Sequence, residues 1–402
     1  MSPVHLLRPV VKEYAWGSVS AIPELLGAPA TGAPQAELWL GGHAAGPSML
    51  ADGSFLDEHV AGLGELDDYY AGQLPFLMKV LAAESPLSIQ AHPDRRQAVD
   101  GFARENAAGV AVGDPARNYK DRHHKPEILV AVTPFSALCG FRDPRRSALL
   151  LQALLGDGAA TGEVAARLLG LLEDGDLRGA AGFVLSGDPE MRRFAVRLAA
   201  AAQGAGDPLG QTIRFVAGHY GDDPGVVMAA LMNRVDLEPG EAFFLDAGQL
   251  HAYLCGVGIE AMAPSDNVLR GGLTPKHVDV GELQRVVAFE VSGASPVAGE
   301  RCDVAGGSLV SYRPPVEEFE VHRLTTDGGP VAIELPGPAL LVVTRGTLRL
   351  VVDGVATTVG HGGCGFVDPG AVLEVEALAG PAEAYLTTSP GLSVRQFGTK
   401  RL

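Results

Sequence analysis

Residues 240–254 read GEAFFLDAGQLHAYL, and the fold turns on how they are read. Two apolar runs, Ala242 to Leu245 and the one that opens at His251, flank a short turn containing Asp and Gly, the pattern of one strand ending and the next beginning. From Gly240, five residues lead to Asp246, and His251 follows the turn at Gly248. The spacing recurs in GCGFVDPGAVLE, residues 363–374, where five residues separate Gly363 from Pro369 and Glu374 stands where His251 does. A unit that occurs twice, once with an imidazole and once without, implies two related β-units, one competent to hold a metal and one degenerate.

Both segments resemble the second motif of cupin barrels, written Gly, five residues, Pro, one, Gly, two, His. The first replaces the Pro with Asp246, and the second replaces the His with Glu374. Around the second, ALLVVTRGTLRLVVDGVATTVGHGGCGFVDPGAVLEV, residues 339–375, is a run of strands at hairpin spacing, as in a sandwich or barrel. Upstream, residues 1 to about 145 read as short strands and turns with a few helical pieces, LPFLMKVL and PEILVAV being the clearest strands. From 146 to about 235 the chain is rich in Ala and Leu, with apolar spacing of three and four, which is helical. The expected fold is therefore mainly β with an α insertion: two cupin-like jelly-roll barrels plus an all-α helical domain. Residues 1–145 and 236–315 form a discontinuous catalytic barrel, 146–235 the helical insertion, and 316–402 the degenerate C-terminal barrel.

Composition narrows the partners. A chain of 402 residues with 47% hydrophobic and 20% charged residues suits a globular protein of two or three domains. A formal charge of −17 repels nucleic acid and anionic membrane surfaces. The first residues, MSPVHLLRPVVKEYAWGS, lack the apolar core of a secretory signal, and no apolar run reaches the roughly 18–20 residues that span a bilayer. A cytoplasmic monomer acting on a small molecule is expected. The four cysteines, Cys139, Cys255, Cys302 and Cys364, have no CxxC spacing, and reduced, mostly buried thiols are expected.

The metal-competent unit needs more than one ligand. LSIQAHP, residues 87–93, read as a strand puts Ser88, Gln90 and His92 on one face and Leu87, Ile89 and Ala91 on the other. Gln90 and His92 then share an inward face. Glu127 opens the apolar strand after RHHKP, and His251 opens another. Singly, each has an ordinary reading: a turn histidine, a surface charge, a histidine at a strand end. Together, two imidazoles, a carboxylate and an amide oxygen make a donor set suited to zinc and tolerated by other divalent ions. His123 and His124 are not needed as ligands, and His43, His59, His219, His277 and His361 are read as structural or surface residues.

An acidic chain that binds an anion needs a local cationic pocket. Lys79 lies in an apolar strand where a bare ammonium is costly, so it needs a partner or must reach solvent at a barrel edge. Lys125 stands two residues before Glu127. GIEAMAPSDNVLRGGLTPKHVD, residues 258–279, crowds Glu260, Ser265, Asp266, Asn267, Arg270, Thr274 and Lys276 into what reads as a loop. Arg and Lys there, with Ser88, can hold a phosphate.

YAWGS, ELWLGGH, LPFLMKVLAAESPLSIQAHPD, HHKPE, FSALCGF and HAYLCGVGIEAMAPSDNVLRGGLTPKHVD resemble, in order, the signatures of type I mannose-6-phosphate isomerases (phosphomannose isomerases), over roughly the first 280 residues. The resemblance implies one Zn2+ per chain on Gln90, His92, Glu127 and His251, and an active-site arginine at Arg270. It places Lys79, Ser88, Lys125, Tyr253, Asp266 and Lys276 on the substrate pocket. Trp16 packs against the sugar or is an ordinary packed aromatic. The implied reaction interconverts mannose 6-phosphate and fructose 6-phosphate through an enediol, with Lys125, Asp266, Lys276 or metal-bound water as the base. Two rival functions fit the same donor set less well: an iron-dependent cupin dioxygenase, and a sugar-binding bicupin without catalysis.

Overall fold

The protein is described here as a computed structural model over residues 4–63, 70, 72–159 and 162–395. Among these residues, strands form sheets of eleven, eight and five strands, and a run of helices lies between Pro144 and Ala230. The architecture is thus mainly β with helices.

The eleven-stranded sheet is organised on one long strand, His251–Met262. Its second half pairs antiparallel with Leu77–Ala83 on one side and Glu127–Ala131 on the other, and its first half with Gln90 and with Phe135–Phe141. The changeover falls at a register shift between Tyr253 and Cys255, beside Gly256 at φ 123°. A Cβ on Gly256 would stand 2.7 Å from the carbonyl oxygen of Pro134, so only glycine fits the bend. The Leu77–Ala83 and Glu127–Ala131 strands are buried throughout, as apolar runs enclosed on both faces should be.

The C-terminal strands make the five-stranded sheet and, with Val4–Arg8 and Met49–Leu50 at one edge, the eight-stranded sheet. One hairpin joins Thr347–Val352 to Val355–Gly360 through Asp353 and Gly354, both at positive φ, the Asp-Gly turn that matches strand twist. Leu341, Val343, Leu348, Val375 and Leu386 belong to the core between these sheets. Leu38, Met78 and Ile128 pack with Phe319, Leu340 and Phe366 in a second core joining the eleven- and eight-stranded sheets. The N-terminal strand Val4–Arg8 pairs with Cys364–Val367, at the far end of the chain. The helices share a core with Ile89, Leu138 and Phe141.

Four details differ from expectation. The helices stop at Ala230 rather than near 235, because Met232–Leu237 is a strand paired with Phe135–Phe141. LSIQAHP is a strand only at Gln90–Ala91, since Leu87 and Ile89 spend their N–H groups on Tyr253 and Gly272 carbonyls outside a regular ladder. Cys139 and Cys364 are buried, but Cys255 is half-buried and Cys302 exposed, on the exposed strand Glu300–Val304; all four are free. Glu260 lies inside the strand His251–Met262, not in a loop. Glu374 is exposed. No helix among the described residues is long and apolar enough to cross a membrane.

Candidate active site and metal centre

His92, Glu127 and His251 converge from separate stretches of the chain, and all three are buried. Their ligand atoms lie within 4.8 Å of one another. His92 Nε2 and His251 Nε2 stand 3.5 and 3.4 Å from Glu127 Oε2. The other nitrogen of each ring is already engaged: Nδ1–H of His92 donates to the Asn267 carbonyl at 2.7 Å, and Nδ1–H of His251 to the Gln249 carbonyl at 3.0 Å. Those bonds set the tautomer and turn each Nε2 lone pair inward. The inward atoms, His92 Nε2, His251 Nε2 and Glu127 Oε2, are buried without a hydrogen-bond partner. Orphaned acceptors at this depth are costly unless a cation meets them. The donor set therefore fits a zinc-type ion. Gln90 is paired with His251 on one side and Arg270 on the other, and lines the cavity in front of the group with Glu127.

Electrostatics agree. Burial lowers the His92 imidazole to about 4 and keeps it neutral, as a ligand must be. Burial pushes the Glu127 carboxyl up, but Lys125, 3.0 Å from Oε1, and His92 outweigh it and hold it well below the ordinary carboxylate range.

The cavity, about 810 Å³, is lined by Lys79, Ser88, Lys125, Tyr253, Asp266, Arg270 and Lys276, with Trp16 at its wall. All eight side chains expected at a substrate pocket thus face one space. Lys79 is 6% exposed. The strand register sets Glu260 and Trp39 directly opposite it. Its Nζ donates to Glu260 Oε2 at 2.8 Å and lies 3.6 Å from Glu37 Oε1. Burial opposes charge on the ammonium, but Glu260 and Glu37 overcome it and raise the group above its ordinary value. Tyr253 O–H donates to Glu260 Oε1 at 2.8 Å, and Trp39 Nε1–H to Glu37 Oε2 at 2.7 Å. Trp16 lines the cavity and also packs, half-buried, on the Phe135–Tyr253 core, the second of its two expected readings. Burial lowers Arg270 from its ordinary value, which leaves a guanidinium still charged at any working pH.

The stretch that follows Arg270 is braced by the helical segment. Asp223 accepts N–H groups from Leu273 and Thr274, and the backbones of Gly225 and Gly272 meet so closely that a Cβ on Gly272 would lie 2.6 Å from Gly225 Cα. Sequence reasoning missed Glu37 and Glu260 as the partners of Lys79. It also set aside His43 and His219, which line the cavity; His43 Nε2 is 3.6 Å from Asp266 and its ring meets Trp39 edge-on. His43 closes ELWLGGH two glycines past the strand Glu37–Leu40, and a polar residue just beyond an apolar strand was the available signal.

A place for a polarising metal beside cations that can hold an anion, on a mainly β scaffold, sets the chain among metal-dependent enzymes of anionic metabolites. The family model for the catalytic domain of type I phosphomannose isomerases matches residues 4–144. Mannose-6-phosphate isomerase of Salmonella typhimurium is 42% identical over 324 residues, covering 77% of this chain and 80% of that one. Mannose-6-phosphate isomerase 1 of Arabidopsis thaliana is 33% identical over 90% and 88% of the two chains. Among solved structures, a zinc-bound mannose 6-phosphate isomerase superposes with a TM-score of 0.86 at 33% identity, covering 96% of this chain and all of that one. The chain belongs to the type I phosphomannose isomerase family.

Proposed function

We propose that this cavity interconverts D-mannose 6-phosphate and D-fructose 6-phosphate, with one catalytic zinc ion per chain held by Gln90, His92, Glu127 and His251. The observation that carries the reading is the convergence of three buried, unpartnered ligand atoms beside a cavity onto which Arg270 and Lys276 also open. Zinc, when bound, supplies Lewis acidity without redox chemistry of its own, which suits an isomerisation with no net oxidation.

The chain's own groups do the rest. Moving a proton between C1 and C2 passes through an enediol, and negative charge builds on the substrate oxygens. Arg270, on the strand next to Gln90, stabilises that charge and is too basic to accept the proton. Lys79, kept protonated by Glu260 and Glu37, places a fixed positive charge in the wall. Ser88 and Lys276 meet the phosphate, Tyr253 holds Glu260 in place, and Trp16 offers the sugar an apolar face. Lys125, Asp266 and Lys276 are the expected bases that line the wall; they are separated by the pH–rate profiles of Lys125→Met, Asp266→Asn and Lys276→Met.

The same reading divides the chain into a catalytic cupin barrel (1–145 and 236–315), a helical insertion (146–235) and a degenerate cupin barrel (316–402), acting as a cytoplasmic monomer. The iron dioxygenase and the non-catalytic bicupin are not favoured, because the relatives and solved structures that the chain resembles are mannose-6-phosphate isomerases. A coupled assay on mannose 6-phosphate, with metal content measured on the same sample, tests the reading. Stoichiometric zinc with turnover, and loss of both in His251→Ala, is expected; turnover that survives removal of the metal overturns it.

A further inference from the structure

We infer that His5, His59 and Asp368 form a second divalent-cation site, separate from the catalytic cavity, that clasps the N-terminal strand and an adjoining helix to the C-terminal sheet. His5 lies in the strand Val4–Arg8, His59 in the helix Leu56–Gly62, and Asp368 directly after the strand Cys364–Val367. His5 Nε2 lies 3.1 Å from Asp368 Oδ2, and His59 Nε2 lies 2.8 Å from Oδ1. One ligand atom from each falls within 4.8 Å of the others, the same closeness as in the His92, Glu127 and His251 group. Among the described residues these are the two such groups, and both offer two imidazoles and one carboxylate. That donor set selects zinc, cobalt or nickel over magnesium or calcium.

The rings are held for the task. Their centroids are 4.4 Å apart, and both lie against Phe366, which packs in the core joining the sheets. A cavity of about 430 Å³ opens beside them, lined by His5, His59, Asp52 and Glu58. Its two further carboxylates attract a cation, and its opening gives water the remaining coordination positions. None of its lining residues borders the catalytic cavity. Without a cation, each ring donates Nε2–H to one oxygen of Asp368. Binding moves each Nε2 proton to Nδ1 or to solvent, and both Nε2 lone pairs and the carboxylate then face the ion.

Asp368 is 32% exposed and the imidazoles 15% and 22%, whereas the catalytic group is almost wholly buried. The second site is therefore the weaker and more exchangeable of the two. Occupied, it stabilises the fold by mass action, since the three segments share an ion only when native.

The test titrates Zn2+ into holoenzyme already carrying its catalytic metal, following bound zinc by equilibrium dialysis and Tm by calorimetry. Wild type is expected to take a second equivalent and to melt higher as zinc is added. His59→Gln and Asp368→Asn, studied separately so that a folding defect in one does not decide the matter, are expected to stop at one equivalent and lose the zinc-dependent rise in Tm. Turnover on mannose 6-phosphate is expected to stay at the wild-type level in both. Wild type that saturates at one equivalent, or variants that still take up two, overturns the inference and leaves Asp368 as a hydrogen-bonded bridge between two histidines.

Discussion

Lys79 is the residue at which the cost of the cavity is most visible. An ammonium this deep is tolerated because Glu260 and Glu37 compensate it, and removing it strands two carboxylates. Lys79→Met is expected to lower unfolding stability by about 3–5 kcal/mol, the range for breaking a buried pair, measured by urea denaturation. A loss below about 1 kcal/mol would mean the two acids simply take up protons. Arg270 predicts the opposite division of effects. Arg270 lines the cavity, so Arg270→Ala should cut turnover by about 10²–10³, as loss of a charge-stabilising donor does. Zinc content should stay at wild-type stoichiometry. Unchanged turnover removes Arg270 from the chemistry, and lost zinc makes it a structural support for Gln90.

At the scale of the element, the strand Glu320–Thr326 carries a buried histidine that makes the fold acid-sensitive. His322 is fully buried, hydrogen-bonded through Nδ1 to Ser311 and through Nε2 to Thr388, and burial lowers it to about 3 from an ordinary 6.5. The unfolded chain therefore takes a proton near pH 6.5 that the folded chain refuses. His322 costs no stability above about pH 6.5, and stability falls as pH drops from there towards 3, by about 1.4 kcal/mol per unit. His322→Gln should flatten that slope by close to one proton, read from urea midpoints at pH 4.5, 5.5 and 6.5; parallel slopes would refute it. Strands also mark where sequence reading succeeded and where it stopped. Glu127 and His251 were legible as candidates because each opens an apolar run, and His92 because a polar side chain closes the apolar stretch before Pro93. Glu260 was not legible. In an unbroken strand it falls on the face opposite Tyr253, yet the register shift after Tyr253 and the bend at Gly256 turn it to the same side, where the two hydrogen-bond. A bulge leaves only a glycine in the sequence, so the partner of Lys79 stayed hidden while its need for one did not. His5, His59 and Asp368 lie on elements that meet only through the pairing of the two chain ends, and no local pattern announces that.

At the scale of the whole molecule, the C-terminal sheets do more than fill out the fold. Glu318, just ahead of the strand Glu320–Thr326, is 2% exposed. Its Oε1 accepts from His124 Nε2 at 2.6 Å and from Arg95 Nη2 at 2.7 Å. His124 stands three residues before Glu127 and Arg95 three after His92, so one carboxylate from the C-terminal half grips the two chain segments that deliver metal-group residues. Burial pushes Glu318 up, but His124 and Arg95 outweigh it and hold it at about 2, against an ordinary 4.5. The stability this contributes is present above about pH 4.5 and is lost as pH falls from there towards 2. Arg95 is half exposed and screened, so its share is discounted, and the His124 contact carries most of the effect. Glu318→Gln keeps the shape and removes the charge. It should cost about 1.5–3 kcal/mol at pH 7, the range for a hydrogen bond to a charged group, and its stability should decline less steeply than wild type between pH 4.5 and 3. Because the grip reaches both metal-bearing segments, zinc should also leave faster, followed by transfer to a chromophoric chelator, while turnover of the zinc-loaded variant stays within a few-fold of wild type. An unchanged acid limb together with an unchanged rate of zinc release would mean that the apolar core of Phe319, Leu340 and Phe366, with the strand pairing of Val4–Arg8 to Cys364–Val367, fixes the metal group from behind without Glu318.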